Sequence, residues 1–148
     1  MTTGSTPRGA ASEQDASRWV RGMFGRIARR YDLDLIIVFG SQAQGQARPG
    51  SDIDVAVRWI RRDWEDLERE LALVGELTEA IWGDGDLDVS FLNGASPLLL
   101  FEVACSGVPL YERQPGGFTL FQSYAARCYY DQSKFSELQG QYLKERYA

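Results

Sequence analysis

The 148 residues fit one domain of ordinary size with no room for a second core, and 44% apolar with 25% charged residues exclude disorder over the whole length, collagen and coiled-coil repeats. Histidine is absent, which removes Ser-His-Asp and Cys-His nucleophiles, imidazole bases and His-containing zinc sites; any chemistry must run on carboxylates, hydroxyls, amines or backbone amides. With 16 Lys and Arg against 21 Asp and Glu the formal charge is -5, which argues against a duplex nucleic acid held through its phosphates.

Residues 1–11 are small and polar and cannot bury enough surface to offset their ordering entropy, so they are expected to form a flexible tail ahead of a single domain over 12–148. Ser12 with Asp15 resembles an N-cap pair, and Trp19, Val20, Met23, Phe24, Ile27, Ala28 and Tyr31 recur at helical spacing, predicting a helix over 13–31. The unbroken run Leu35 to Phe39 predicts a central strand covered on both faces. After Gly40 and Ser41 a short helical turn is expected, and then Ile53, Val55, Val57 and Trp59 alternate against Asp52, Asp54, Ala56 and Arg58, giving a second strand with one apolar face. Arg58, Arg61 and Arg62 read as a solvated loop.

Trp64, Leu67, Leu71, Val74, Leu77 and Ile81 mark a helix capped by Asp63 and broken at Gly83 to Gly85. Residues 86–92 alternate again as a third strand. Ser96 as N-cap, Pro97 at the first helical position and Gly107 at the far end bracket a further helix. Residues 109–112 add a short edge strand, and 117–146 read as a long or broken C-terminal helix; the tail from Phe118 onward holds five of the seven tyrosines, Tyr124, Tyr129, Tyr130, Tyr142 and Tyr147. Its aromatic stripe packs on the sheet or offers a groove to a partner. The fold class is α/β (α+β), a small mixed β-sheet with flanking helices. Cys105 and Cys128 have no CxxC spacing and read as core thiols. No apolar run approaches the ~20 residues of a membrane span, and the first residues lack the apolar centre of a signal peptide, so a cytoplasmic location away from membranes is expected.

Asp52 and Asp54 stand two apart on a strand, so their side chains leave one face with Cα atoms about 6.6 to 7 Å apart. Two carboxylates that close can chelate one divalent ion, and with Asp88 from the third strand three like charges converge. Hard oxygen ligands without His or Cys point to Mg2+ or Mn2+. Asp88 could also take a proton from an incoming hydroxyl. Asp86 shares its face and is the rival third carboxylate; Asp88 is favoured because the Gly85 turn accounts for Asp86 without a function. Upstream, Gly40 and Ser41 end a central strand where free backbone N–H groups can meet an anion, Gly40 allowing close approach and Ser41 adding a hydroxyl. A triphosphate cradle facing metal carboxylates suits attack at phosphorus with departure of pyrophosphate.

The stretch FGSQAQGQARPGSDIDVAV resembles the signature of the DNA polymerase β-like nucleotidyltransferase superfamily in its minimal nucleotidyltransferase branch. The likeness extends through LDVSFLNGASPLLLFEVACSGVPLYE and the tyrosine-rich AARCYYDQSKFSELQ, most of residues 35–140. Ser90 and Phe91 stand where relatives often show a second Val-Asp step, which leaves the third aspartate intact. The resemblance implies an antitoxin paired in a hetero-oligomer with a HEPN-domain ribonuclease toxin, transferring AMP from ATP to a toxin tyrosine. Gly40 and Ser41 would then hold the nucleotide phosphates, and Asp52, Asp54 and Asp88 the Mg2+, with Asp88 helping to deprotonate the acceptor. An antitoxin acting by binding and occlusion alone, and transfer to a small hydroxylated molecule, are the competing readings. Glycosyl transfer also uses Asp-x-Asp, but lacks the preceding Gly-Ser and generally needs a longer chain.

Overall fold

Phe24, Ile27, Ala28 and Tyr31 are all buried, and their three- and four-residue spacing winds the start of the chain into α1 (Glu13–Tyr31) with one face inward. The computed structural model describes residues 13–40, 52–61, 66–81 and 86–147, with side chains from residue 21 onward. Arg29 and Arg30 occupy the last turn of α1, where cations suit the carbonyl end of the helix. Asp32, at a φ of 55°, then reverses the chain into β1 (Leu33–Phe39).

β1 pairs antiparallel with β2 (Ile53–Trp59), from Leu33 opposite Trp59 to Phe39 opposite Asp54. α2 (Leu67–Ala80) carries the chain back, so β3 (Leu87–Phe91) joins β2 in parallel. α3 (Pro97–Ser106) then crosses the sheet to β4 (Val108–Glu112), antiparallel to β1 on the far edge. The order is β3-β2-β1-β4, a mixed four-stranded sheet as the sequence predicts. α4 (Gly117–Tyr147) closes the chain as one unbroken helix.

The sheet separates two cores. On one side Phe24, Ile27, Tyr31 and Leu33 pack with Ile36, Val55, Val57, Trp59, Leu73 and Leu77, joining α1 and α2 to the strands. On the other, Leu35, Ile37, Phe39 and Ala56 meet Leu100, Val103, Ala104, Phe118, Phe121 and Ala125 of α3 and α4. Each fully buried leucine or phenylalanine contributes about 1.5 to 3 kcal/mol from removal of apolar surface from water. Polar ties fix the ends: Asn93 Oδ1 accepts from the Trp59 N–H at 2.8 Å, and Gln122 Nε2 donates to the Ala104 carbonyl at 2.9 Å.

Four local expectations change. α2 begins at Leu67 with Asp66 as N-cap, its carboxylate accepting from the Arg69 N–H at 3.2 Å; the capping role given to Asp63 fails because a second Asp three residues on meets the same requirement nearer the helix. β2 is covered on both faces, since α3 and α4 bury Ala56. Arg58 belongs to β2, not a loop: its Nε lies 3.1 Å from both carboxylate oxygens of Asp34, and its guanidinium lies 5.6 Å from the centre of the Phe121 ring. Cys105 is exposed, because α3 is apolar nearly all round and its inward face falls on Leu100, Val103 and Ala104, while Cys128 of α4 is half-buried against the same core. The tail over 1–11, Ser12, the turn after Gly40, Arg62, Asp63 and Trp64 lie outside the described residues.

Candidate active site

Alternation along β2 sends Val55 and Val57 into the α1/α2 core and turns Asp54 and Ala56 to the α3 side. Asp54 stands at the start of β2, opposite Phe39 where β1 ends. On its other side it is in parallel register with Asp88 of β3, so the two carboxylates leave the same face of adjacent strands, whose backbones run about 4.8 Å apart. Asp52 precedes β2 by one residue and is exposed, as are Asp86 and Asp88. Asp86 contributes its carbonyl, which accepts from the Ile53 N–H at 2.9 Å.

Partial burial raises the pKa of Asp54 above the ordinary 3.8, and the negative charges of Asp88, Glu102 and Asp52 raise it further, in that order. The converging charge expected from the sequence is thus felt at Asp54. Glu102 is an addition, supplied by α3. It is the one charged residue of the segment PLLLFEVACS, and a lone charge in an otherwise apolar helix was the signal that could have revealed it.

Gly40 completes the corner. Its φ is 75°, and a Cβ built there would lie 2.6 Å from Asp54 Oδ2, so the residue needs both left-handed backbone and the absence of a side chain. Its N–H is not free as expected: it donates to Ser106 Oγ at 3.3 Å. Ser106 had no role in the sequence reading. Ser41, the other half of the expected cradle, lies outside the described residues.

The donors suit a hard divalent cation in type, being anionic oxygens on one sheet face with no nitrogen or sulfur among them. Among the described residues no three Cys, Asp or Glu side chains are gathered at metal-holding distance. Also among those residues, no helix is long and apolar enough to cross a membrane.

The site thus sets a strand-ending glycine against two carboxylates on a small mixed sheet. The chain belongs to the polymerase beta nucleotidyltransferase family, whose profile matches residues 25–116. It is 37% identical over 82 residues to the protein adenylyltransferase MntA of Shewanella oneidensis, covering 55% of this chain and 56% of that one. It therefore spans about half the length of the curated relative it matches. Among solved structures, it is similar to a toxin–antitoxin crystal structure with AMP-PNP, at 28% identity and a TM-score of 0.62, covering 83% of this chain and 98% of that one. A toxin–antitoxin MntA–HepT structure matches at 25% identity and a TM-score of 0.57, over 85% of this chain and 98% of that one.

Proposed function

We propose that this protein is an antitoxin nucleotidyltransferase that moves AMP from ATP to a tyrosine hydroxyl of a HEPN-domain ribonuclease toxin and so neutralises it in the cytoplasm. The observation that carries this reading is the corner formed by Gly40, Asp54 and Asp88 in a chain of this family, 37% identical over its matched part to a protein adenylyltransferase. The structural relative with AMP-PNP supports ATP as the donor.

Asp52, Asp54 and Asp88 would hold Mg2+ or Mn2+, which when bound offsets the charge of the triphosphate and of the departing pyrophosphate. Gly40 and Ser41 would receive the phosphates, the absent side chain at Gly40 leaving the backbone open to close approach. Asp88, exposed at the sheet edge, accepts the acceptor's phenolic proton. The phenolate oxygen bonds to the α-phosphorus as the bond from that phosphorus to the bridging oxygen breaks, and pyrophosphate leaves with the electron pair. In this reading the acceptor tyrosine is presented by a separate molecule, the toxin. The outer half of α4 suits a protein partner: Phe135, Leu138, Tyr142, Leu143 and Tyr147 are all more than half exposed.

Turnover distinguishes enzyme from occluding antitoxin. A sub-stoichiometric amount of this protein with ATP and Mg2+ should inactivate many toxin molecules and add about 329 Da per AMP to each. Asp88→Asn keeps the docking surface but loses the charge that accepts the proton, so it should protect cells poorly or only at high dose. Equal protection by Asp88→Asn with no mass shift on the toxin would establish occlusion instead.

A further inference from the structure

α3 ends in two residues that bind it to the end of β1 by different means. Gly107, whose N–H caps the helix on the Val103 carbonyl, packs so closely on β1 that a Cβ there would lie 2.6 Å from Ile37 Cγ2. The helix C-terminus is thereby held against β1 with no space for a side chain. Ser106, one residue earlier, donates its hydroxyl proton to the Glu102 carbonyl at 2.9 Å. With that proton committed, only lone pairs of Oγ remain, and one accepts the Gly40 N–H at 3.3 Å.

We infer that Ser106 is a positioning residue for the nucleotide corner: without touching nucleotide, it ties Gly40 to the fixed end of α3 and so sets the left-handed turn against the Asp54 carboxylate. This rests on the nucleotidyl-transfer reading of the same site. The turn is poised, because Gly40 holds a φ of 75° and has Asp54 Oδ2 where a Cβ would be. A backbone with that much freedom samples other conformations unless something outside the turn fixes it. Ser106 is bonded to the Gly40 amide itself, and its helix is mounted on the strand that Gly40 ends.

The test compares Ser106→Ala, Ser106→Thr and, as a control, Ser96→Ala, which removes the N-cap bond from Ser96 Oγ to the Leu99 N–H at the other end of α3. Amide hydrogen exchange at Gly40, followed by NMR without nucleotide, should quicken in Ser106→Ala and recover in Ser106→Thr, which keeps the hydroxyl. ATP binding by calorimetry should weaken about threefold to tenfold in Ser106→Ala, the range of one lost hydrogen bond, with KM for ATP rising and kcat little changed. Ser96→Ala should lower Tm by as much or more, yet leave Gly40 exchange and ATP affinity as in the wild type. Should Ser106→Ala fail to fold, Ser106→Cys, a weaker acceptor of the same shape, should show the same effects in smaller measure. Wild-type exchange and ATP affinity in a folded Ser106→Ala or Ser106→Cys protein would overturn the assignment. Failure of the wild-type protein to bind ATP would instead overturn the nucleotidyl-transfer reading.

Discussion

The two sides of the sheet are built to the same plan and finished differently. Against α1 and α2, the strands present Leu33, Ile36, Val55, Val57 and Trp59 to a core of aliphatic and aromatic groups. Against α3 and α4 the core is as apolar, but β2 carries Asp54 at one end of that face and Arg58 at the other, with only Ala56 fully buried between them. Arg58 is answered by Asp34, with both carboxylate oxygens at 3.1 Å. Asp54 faces further negative charge and is answered by nothing of opposite sign among the causes that shift its pKa. A carboxylate that meets no opposite charge among the described residues, on a face that folds through apolar contacts, is kept at a cost, and the cost makes sense when a ligand supplies the missing sign.

Substitutions confined to one side of the sheet should have effects confined to that side. Asp52→Ala with Asp54→Ala should abolish AMP transfer, by about a thousandfold or more if the carboxylates organise several kcal/mol of charge stabilisation, while leaving the fold intact. Leu73→Ala, in the opposite core at 0% exposure, should cost about 2 to 5 kcal/mol of stability and leave transfer unchanged at temperatures where the protein stays folded. Labelled ATP and thermal melting read the two effects. Transfer surviving in the double variant would remove the active site from this face.

A finer cut compares two glycines. Gly40 and Gly116 share left-handed backbone, with φ of 75° and 83°, but a Cβ at Gly116 meets nothing within 4 Å whereas one at Gly40 meets the Asp54 carboxylate. Alanine at either position carries the left-handed penalty of about 1 to 2 kcal/mol and should lower Tm by a few degrees. Gly40→Ala must also displace Asp54, and a carboxylate moved by about an ångström should reduce transfer by roughly a hundredfold, while Gly116→Ala keeps full activity. Equal activity in the two variants, measured well below their melting temperatures, would show that Asp54 is not held in place by this corner.

Much of the molecule was legible because its signals are local. The burial of Phe24, Ile27 and Tyr31, the Ser96–Pro97 start of α3 and the Leu35 to Phe39 run follow from spacing and from the chemistry of helix ends. So does the pairing of Asp54 with Asp88, once two alternating strands are placed in parallel. What stayed hidden depends on contacts across the fold. Asp63 and Asp66 satisfy the same capping rule, and only the helix start decides between them. Cys105 sits in an apolar helix without a polar face, so periodicity could not tell its inner side from its outer one. Ser106 and Glu102 act on residues that lie more than 40 positions away in sequence, and nothing in their own neighbourhood reports that reach.

The smallest effect sets one titrating group from each side against the other. Asp54 is raised by burial and then by its acidic neighbours; Tyr31, in the α1/α2 core, is raised from its ordinary 10.0 by burial and then by its hydrogen bond to Glu76, at 3.1 Å. The sign is the same for both: a raised pKa in the folded state favours the protonated form, so stability is full below the ordinary value and is lost as pH rises from there through the folded value. The windows differ. Asp54 loses its contribution upward from about pH 4, so at neutral pH the protein without nucleotide already carries the penalty. Asp54→Asn, which mimics the protonated carboxyl, should raise Tm at pH 7 by a few degrees and by less toward pH 4. Tyr31 loses its contribution only above pH 10, so Tyr31→Phe should flatten the alkaline fall in Tm while giving up a hydrogen bond worth about 0.5 to 1.5 kcal/mol at neutral pH. Melting curves of the three proteins from pH 4 to 11 decide it. A gain from Asp54→Asn that grew toward low pH would mean that Asp54 is stabilised as an anion, and the α3 side would then need no cation to complete it.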